Sequence, residues 1–580
     1  MKIRYLLASE RLRVQNFWQD TWVFLPFVKE NSVGLELVLQ AMSQSEFGNP
    51  SIAKPRQEKR VIGVIENGHV QLLLLVEAQE DVLVVSLAAL AKASDYTWND
   101  FLAVLENIVR TKRLGKIRLE LLYEVSPDYQ VRFKEAGWKL NGVNYEKKVD
   151  YQFGIAFGGG GARGAYEIGV WQAFEEAGWD FPVIAGTSIG AATGGLMIAS
   201  DVKQATAMWE EIETSQILDF QQADNTSEQS MLDMITQIGA MAVASIQNVG
   251  ISSAPIRGLI EKYYDFDKFA TTDKKFIVVV TEIPSMTEHD VEVKSKPRAE
   301  WSDWLIASGS FFPAMAATPM NGVYYIDGGY RNNIPVDQVV LNGANAVVSV
   351  DVKGPGITKK FDFPKDVALW EIQSPWNLGT VLIFDGNRST QNIHLGYLET
   401  KRYFCNAEGY WYTFKEESYE EERTRLGKGF EKYLVQHYGI TIEKGSKFEA
   451  NLLQKMRKIY KTQVFRESLL LALLETLGRY ADVKPTEEYT LFVFAKEMVR
   501  DMQKATIEIG DELISISEWF QLYYNQFFVL SEVQQFQRFR SLLQVSDEEK
   551  KRRVSFLWDK FPVVILLVLF FEFIEKNNKK

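Results

Sequence analysis

Short, unbroken apolar runs in the middle of the chain predict the strands of a buried sheet. Residues 276–281 and 346–351 are continuously apolar and rich in β-branched side chains, whereas a half-exposed strand alternates apolar and polar positions. Two glycine-containing turns, at 158–164 and 186–190, each follow an apolar run and precede a helical pattern. The pattern predicts an α/β domain with helices packed on a parallel sheet.

The first 148 residues have a different order of elements and form a predicted domain of their own. Three apolar runs are followed by a helical pattern over 98–112, a strand, a helix that ends near Trp138 and a last strand near 143–149. The three runs cover residues 61–65, 69–76 and 82–90. This order predicts an α+β domain over residues 1–148.

Helical periodicity dominates beyond residue 402. Apolar residues recur with a period near 3.6 at 448–460 and at 468–477, and Pro485 marks a break between helices. The pattern predicts a mainly helical region over 403–580, after a central domain over 152–402.

The C-terminal tail, residues 561–574, is almost wholly apolar and has basic residues on both sides. It is shorter than the roughly twenty residues that a membrane-spanning helix needs. Two interpretations remain open: a buried core segment, and an interfacial anchor that gives peripheral contact with a membrane. An anchor predicts vesicle binding that is lost when residues 561–580 are deleted.

Composition excludes several classes of function. The 580-residue chain has a net charge of −11, which argues against nucleic-acid binding and against general adhesion to anionic membranes. Its single cysteine, Cys405, allows no intramolecular disulfide, and no Cys/His spacing indicates a zinc site. The apolar run at the N-terminus is too short for a secretory signal, so a cytoplasmic protein is expected, at the inner membrane face if the tail is an anchor.

The two glycine-containing turns carry the candidate chemistry. Ser188 lies in Gly186-x-Ser188-x-Gly190, where small neighbours let a hydroxyl protrude from a sharp strand-to-helix turn. The turn at 158–164 is built largely from glycine and offers backbone N–H groups that can hold an oxyanion. Together they indicate acyl transfer with Ser188 as the nucleophile.

The four histidines offer no clear base for Ser188, which leaves an acidic residue as the candidate. None of the four histidines (His69, His289, His394 and His437) lies in a recognisable turn at the end of a strand. Asp327 does, since an apolar run leads into Asp327-Gly328-Gly329. An aspartate with an ordinary pKa of roughly 3.9 is a weak base, so we expect the site to desolvate it. A Ser188–Asp327 dyad is the simplest hypothesis, and it requires neither a metal ion nor a cofactor.

Several motifs in this order resemble the patatin-like phospholipase family. They are GGGxRG at 159–164, GTSIG at 186–190, DGG at 327–329, Asn333-x-Pro335, and a pattern over 384–397. The resemblance covers residues 152–402 and implies a three-layer α/β/α fold and hydrolysis of acyl esters in phospholipids or other lipids by a Ser/Asp dyad. The family commonly has serine or aspartate where this chain has Gly158.

By position, the resemblance assigns roles to the residues of these motifs. Ser188 is the nucleophile and Asp327 the base, with Gly186 and Gly190 forming the nucleophile elbow. The amides of Gly160, Gly161 and Ala162 form the oxyanion hole. The loop around that hole is completed by Gly159, Gly164 and Arg163, which helps to fix it, and the turn after Asp327 is supported by Gly328, Gly329 and Asn333.

The alternatives are a dinucleotide site and a non-catalytic scaffold. Gly159-x-Gly161-x-x-Gly164 also fits a dinucleotide fingerprint, but the next strand ends at 185–188 without the acidic residue that holds the ribose. The alternative that the chain is a regulatory or binding protein built on an esterase scaffold remains open. The role of Met231, Met234 and Met241 also remains open, since these residues belong either to a core helix or to a lid over an acyl chain.

The N-terminal domain weakly resembles the GNAT acyltransferases in the order of its elements and in its ending from Tyr129 to Trp138. Residues 91–96, which follow the strand where that family binds pyrophosphate, contain no glycine for close approach to phosphates. We therefore expect a domain that does not bind acetyl-CoA and serves in regulation, partner binding or scaffolding. An intact acetyltransferase is the alternative.

Overall fold

The computed structural model describes residues 1–6, 10–44, 59–214, 254–312, 314–405, 407–462, 464–504 and 530–578. These residues fall into two compact units, one that ends at Cys405 and one that follows it. The first unit contains two sheets, and the second is mainly helical. The predicted α+β, α/β and helical regions are thereby confirmed. Met231, Met234 and Met241 lie outside the described residues.

The N-terminal sheet is mixed. Its strands run in the order β1-β3-β4-β5-β6-β8-β7, with β2 paired to β5, and only β5 and β6 are parallel. The predicted strands and helices are present, and β1, β2, β7 and the first two helices are additional. The elements are β1 (Lys2–Tyr5), α1 (Arg11–Gln19), β2 (Thr21–Val23), α2 (Asn31–Gln44), β3 (Arg60–Glu66), β4 (His69–Gln79), β5 (Val82–Ala91), α3 (Trp98–Lys112), β6 (Lys116–Leu119), α4 (Pro127–Glu135), β7 (Lys139–Asn141) and β8 (Asn144–Lys148).

The central domain has a second sheet, in the order β13-β14-β11-β10-β9-β15-β16, with β12 on β11. Strands β11, β10, β9, β15 and β16 are parallel, and β12, β13 and β14 are antiparallel to their neighbours. The elements are β9 (Phe153–Phe157), α5 (Ala165–Glu176), β10 (Val183–Thr187), α6 (Ile189–Ala199), α7 (Val202–Glu211), α8 (Ala254–Tyr263), α9 (Phe266–Thr271), β11 (Lys275–Ile283), β12 (Thr287–Glu292), α10 (Trp301–Gly309), β13 (Thr318–Met320), β14 (Val323–Asp327), α11 (Val336–Leu341), β15 (Ala346–Asp351), β16 (Ala368–Gln373) and α12 (Gly386–Phe404).

Apolar side chains cover both faces of this second sheet. On one face, residues such as Phe157 and Val278 pack under α5, α6 and α10 in a large core. On the other face a smaller core, which includes Ala185 and Val347, packs under α11. Because both faces are buried, the strand sequences are continuously apolar and do not alternate between apolar and polar residues.

The two sheets belong to one compact unit because α3 of the N-terminal domain packs beside β16. Asn107 Nδ2 donates to the Lys365 carbonyl oxygen at 3.1 Å, and Trp370 Nε1 donates to the Thr111 carbonyl oxygen at 3.2 Å. Arg110, only 4% exposed, donates to the Asp366 carbonyl oxygen at 2.7 Å. These buried polar contacts attach the N-terminal domain to the edge of the central sheet.

The second unit is a set of packed helices with one short pair of strands. Its elements are β17 (Thr413–Phe414), α13 (Glu416–Tyr438), α14 (Lys447–Tyr460), α15 (Arg466–Tyr480), β18 (Glu488–Tyr489), α16 (Leu491–Lys504), α17 (Glu532–Leu542), α18 (Asp547–Trp558) and α19 (Pro562–Asn578). The predicted break at Pro485 lies between α15 and α16.

Burial of the C-terminal tail favours the core interpretation over the anchor. Helix α19 contains the tail, and its apolar side chains are packed inside the second unit, with Ile565 and Phe570 fully buried. Two of the basic residues that precede the tail are paired as well, Lys550 with Glu572 at 2.6 Å and Arg553 with Glu549 at 3.0 Å. The neighbouring helices therefore take up the apolar surface that an interfacial anchor would need. Among the described helices, none is long and apolar enough to cross a membrane.

Candidate active site

Ser188 lies between β10 and α6, at the sharp turn that the sequence predicts. Its φ of 56° falls in the left-handed region, which side chains other than glycine rarely adopt. Gly186 and Gly190 make this turn possible, because a Cβ on Gly186 would collide with the Gly190 carbonyl oxygen and one on Gly190 with that of Phe157. The turn leaves Ser188 half-buried at the start of α6.

Asp327 is the last residue of β14, and the structure brings it to Ser188. Both side chains line one cavity, and the Gly329 amide donates to Asp327 Oδ1 at 2.7 Å. Burial raises the pKa of Asp327 from 3.8 to about 6, against the opposing effects of the nearby Ser188 hydroxyl and the Gly329 amide. The expected desolvation of this carboxylate is present in the structure.

The C-terminal end of α10 supports both members of this pair. Ser308 Oγ accepts a hydrogen bond from the Ser188 amide at 2.9 Å and donates to the Val279 carbonyl oxygen at 2.7 Å. Two residues later, the Ser310 carbonyl oxygen accepts from the Asp327 amide at 2.9 Å. Ser308 and Ser310 are fully buried, and the motifs in the sequence did not identify them. Their role depends on how α10 packs on β11, which no local pattern reveals.

The glycine loop presents fewer available amides than the family resemblance implies. The Gly159 amide donates to the Asn333 carbonyl oxygen at 3.0 Å. The Ala162 amide donates to the Val381 carbonyl oxygen at 2.7 Å, so it does not face an oxyanion in this structure. In the described part of the chain, the amides of Gly160 and Gly161 have no hydrogen-bond partner. These two line the cavity together with Ser188.

Two side chains fix the glycine loop. Arg163 Nε donates to the Gly379 carbonyl oxygen at 2.7 Å, and its Nη1 reaches the Lys353 carbonyl oxygen. Asn333 Nδ2 donates to the Gly159 carbonyl oxygen at 3.2 Å. Asn333 thereby connects the glycine loop to the turn after Asp327. In that turn a Cβ on Gly328 would collide with the Val279 carbonyl oxygen.

A buried glutamate connects the helices that follow the two loops. Glu167, on α5 after the glycine loop, is fully buried and accepts a hydrogen bond from Thr193 Oγ1 of α6 at 2.6 Å. Burial raises the pKa of Glu167 well above its ordinary value, and the hydrogen bond from Thr193 opposes this rise. The contact holds the two loop-bearing helices together, and no motif in the sequence indicated it.

An apolar cavity of about 140 Å³ opens beside Ser188 and Asp327. Aliphatic and aromatic side chains dominate its wall. They include Leu196, Met208, Trp209, Ile256, Leu259, Ile260, Leu305, Phe311, Met315, Leu382 and Phe384. Such a wall suits a hydrocarbon chain, since apolar surface is driven out of water.

None of the four histidines, all of which lie in the described part, lines this cavity. His289, on β12, contacts Glu282 Oε2 at 2.8 Å instead. Within the described ranges, no group of three or more His, Cys, Asp or Glu side chains is arranged to hold a metal ion.

The pattern over 384–397 has a structural role. Asp385 begins α12 as its N-cap and accepts from the Arg388 amide at 2.8 Å. Gly396 lies against the Tyr166 carbonyl oxygen of α5, where no side chain fits. The pattern therefore packs α12 closely on α5, the helix that follows the glycine loop.

The start of α3 in the N-terminal domain is occupied by side chains. Asp100 accepts hydrogen bonds from the Thr97 amide at 2.8 Å and from its hydroxyl at 2.7 Å, while Thr97 Oγ1 accepts from the Asp100 amide. Lys365 pairs with the same carboxylate at 2.9 Å. This capping box places a carboxylate at the helix N-terminus, the position where a phosphate would otherwise bind.

Comparison with known proteins identifies the central domain. Residues 155–340 match the family model described as patatin-like phospholipase. Patatin-like phospholipase domain-containing protein 6 of Homo sapiens is 29% identical over 234 residues, which are 38% of this chain and 15% of that protein. Lysophospholipase NTE1 of Cryptococcus neoformans is 27% identical over 223 residues, 38% of this chain and 12% of that protein. The chain thus spans only a small part of the curated relatives it matches.

Solved structures give more distant likenesses. VipD from Legionella pneumophila has 15% identity and a TM-score of 0.29, over 75% of this chain and 94% of that one. The ribosomal-protein-S18-alanine N-acetyltransferase from Escherichia coli has 10% identity and a TM-score of 0.19, over 26% of this chain and 94% of that one. Likenesses at these scores carry no argument about function. It is the family model and the order of the motifs that assign residues 155–340 to the patatin-like phospholipases.

Proposed function

We propose that this protein is a serine hydrolase that cleaves acyl esters of lipids, with Ser188 as nucleophile and Asp327 as base. The observation that carries the proposal is that Ser188, on its strained turn, and the buried carboxylate of Asp327 line the same apolar cavity. Gly160 and Gly161, whose amides have no partner in the described part of the chain, line the same cavity. Nucleophile, base and oxyanion donors are the three components that acyl transfer requires.

In the first half of the reaction, Ser188 Oγ bonds to the ester carbonyl carbon while its proton passes to Asp327. The carbonyl oxygen becomes an oxyanion, and the amides of Gly160 and Gly161 donate to it. A pKa of about 6 makes Asp327 a stronger base than an ordinary aspartate while leaving it mostly ionised at neutral pH. The carboxyl then returns the proton to the leaving alcohol oxygen as the ester C–O bond breaks. The acyl group remains on Ser188.

In the second half, water replaces the alcohol and gives a proton to Asp327 as its oxygen attacks the acyl carbon. The Ser188 Oγ–acyl bond breaks, and the serine oxygen takes the proton back from Asp327. One ester and one water yield one carboxylic acid and one alcohol, with the protein unchanged. The same aspartate serves as base and acid in both halves.

The apolar cavity supports a lipid as the source of the acyl group. Its wall carries aliphatic and aromatic side chains around the nucleophile, which favours a hydrocarbon chain over a polar acyl group. The names of the relatives, a phospholipase domain protein and a lysophospholipase, support the same class. We therefore propose phospholipids and lysophospholipids as the first substrates to test.

Release of free fatty acid from mixed phospholipid vesicles and from lysophosphatidylcholine tests the function. Wild type should release fatty acid, and Ser188→Ala should lower the rate by several orders of magnitude. Ser285→Ala, at an exposed turn, is the matched control and should act as wild type does. Equal release by wild type and Ser188→Ala would contradict the proposal. Cleavage of soluble esters alone would refute the lipid class, and no cleavage of either would favour a binding scaffold.

For the N-terminal domain we propose a scaffolding or regulatory role without acetyl-CoA. Asp100 occupies the start of α3 and repels a pyrophosphate there, and the preceding residues 91–96 lack glycine. Acetyl-CoA at 1 mM should therefore leave the melting temperature unchanged, whereas a specific ligand at 100 times its Kd stabilises by about 2.7 kcal/mol. A rise in melting temperature that saturates with acetyl-CoA would refute the proposal.

A further inference from the structure

The second unit contains a cavity that the proposed hydrolysis does not use. It has a volume of about 850 Å³ and lies between α13, residues 440–444 and α15, with Leu566 of α19 at its base. Cavities that hold small molecules in proteins have volumes of roughly 300–1,000 Å³. We call this space, lined from Arg423 to Leu566, the helical-unit cavity.

The inner wall of the helical-unit cavity is aliphatic. Leu434, Leu473 and Leu566 are buried at its base. Leu469 and Leu470, one after the other on α15, remain half-buried along its side, as do Ile440 and Ile442 opposite. A continuous strip of branched aliphatic side chains therefore runs from the base towards the opening. Filling it with hydrocarbon would remove that apolar surface from water.

The rim of the helical-unit cavity is basic. Five basic side chains line the cavity against three acidic ones, of which Glu449 is buried, although the chain as a whole has a net charge of −11. The basic residues are Arg423, Lys428, Lys432, Lys444 and Arg466, and the acidic ones are Glu431, Glu449 and Glu467. A local excess of positive charge in an acidic protein marks a place that attracts anions.

Two of the rim lysines are available for a ligand. Arg423 is held by Glu420 at 2.6 Å, and Arg466 is within 3.7 Å of Glu431. Lys428 and Lys432, in contrast, form no ion pair with any carboxylate that the structure describes. They are exposed and four residues apart on α13, so both project from the same side of that helix. Together they can receive one carboxylate at the opening.

We propose that the helical-unit cavity binds a long-chain fatty acid. The hydrocarbon chain would lie along Leu469, Leu470 and the buried base, and the carboxylate would meet Lys428 and Lys432 at the rim. An apolar strip that leads to unpaired cations matches an amphiphile with one chain and one anionic group. This inference does not depend on the proposed hydrolysis, because the cavity and the catalytic pair share no residue.

The test is titration of the full chain with a fluorescent fatty acid, 11-(dansylamino)undecanoic acid, in the Ser188→Ala background. Saturable binding should be weakened at least about tenfold by the double variant Lys428→Glu/Lys432→Glu, which corresponds to about 1.4 kcal/mol. The double variant Lys447→Glu/Lys455→Glu is the matched control. It makes the same change of net charge at exposed positions of α14 outside the cavity, and should bind as the parent does.

A second ligand separates the rim from the apolar wall. Dodecanol, which lacks the carboxylate, should displace the probe equally well from the parent and from the rim variant. Leu469→Gln/Leu470→Gln, at half-buried positions, should weaken both ligands. Unchanged affinity in the rim variant, an equal loss in the α14 control, or the absence of saturable binding would overturn the proposal. If the probe bound only in the cavity beside Ser188, the rim variant would bind it with unchanged affinity.

Discussion

The amide nitrogen of Ser188 donates to Ser308 Oγ at 2.9 Å, so a buried serine on α10 fixes the turn that carries the candidate nucleophile. The strained φ of Ser188 needs such support, because the surrounding structure must hold a left-handed residue in place. The same helix end accepts the Asp327 amide through the Ser310 carbonyl oxygen at 2.9 Å. One short segment therefore sets the position of Ser188 and Asp327 together.

Replacing Ser308 by alanine should lower kcat for ester hydrolysis about tenfold to a hundredfold and change KM little. The variant leaves the half-buried Ser188 amide without its Ser308 acceptor, which costs up to about 1–3 kcal/mol, and frees the turn. Steady-state kinetics on a soluble ester measures the effect. Ser310→Ala is the control, since it removes a hydroxyl that bonds Ile306 and Thr318 but keeps the carbonyl that holds Asp327. Equal losses of kcat in both variants would show that Ser308 stabilises the fold in general and does not specifically position Ser188.

The pH dependence of hydrolysis should report the ionisation of Asp327. Only the carboxylate form accepts the serine proton, so kcat/KM on a neutral soluble ester should fall as pH falls below about 6 and level off above it. The midpoint of a carboxylate moves little with temperature, whereas that of an imidazole falls on warming. A midpoint near the ordinary pKa of 3.8, or one that shifts strongly with temperature, would contradict the assignment.

Replacing Asp327 by asparagine should abolish hydrolysis and stabilise the fold. Burial raises the pKa of Asp327 from 3.8 to about 6, so the ionised group destabilises the folded protein above pH 6. That cost, about 2–3 kcal/mol, shrinks as pH falls through this window, because the folded state binds the proton more tightly than the unfolded chain does. Scanning calorimetry at pH 8 and pH 5 should show the larger gain in melting temperature at pH 8. A variant less stable than wild type at pH 8 would contradict the account.

The glycine loop should not tolerate a side chain at Gly161. Its φ is 55°, and a Cβ there would collide with the Val381 carbonyl oxygen. Gly161→Ala should therefore move an oxyanion donor and lower kcat at least about a hundredfold, as loss of one such donor does in other hydrolases. Gly178→Ala is the matched control, because φ is also positive, at 71°, but the space around it is open. Its activity on the same ester should be unchanged, and similar kinetics for both variants would exclude Gly161 from the site.

The candidate pair of Ser188 and Asp327 could be predicted from the sequence because the signals for both residues are local. A serine between two close glycines and an aspartate at the end of a strand can each be read from a few residues. The structure brings Ser188 and Asp327 together from β10 and β14, which both flank β11. The strands of the parallel sheet could also be predicted from the sequence, since burial on both faces gives continuous apolar runs.

The remaining features depend on tertiary contacts. Which amides of the glycine loop stay available is decided by Asn333 and by the Val381 carbonyl oxygen, both distant in the chain. The sequence of the C-terminal tail fits a core helix and an anchor equally well. Only the packing of the tail with the other helices of the second unit favours the core helix. Ser308 looks like any helical serine until α10 is placed on β11.

Covalent trapping of the nucleophile tests the central claim most directly. The full chain is treated with a long-chain alkyl fluorophosphonate, which forms a stable bond with an activated serine, and the modified peptide is identified by mass spectrometry. One adduct is expected, on Ser188, and it should disappear in Ser188→Ala and form much more slowly in Asp327→Asn. An adduct on another residue, or equal labelling of wild type and Ser188→Ala, would contradict the central claim.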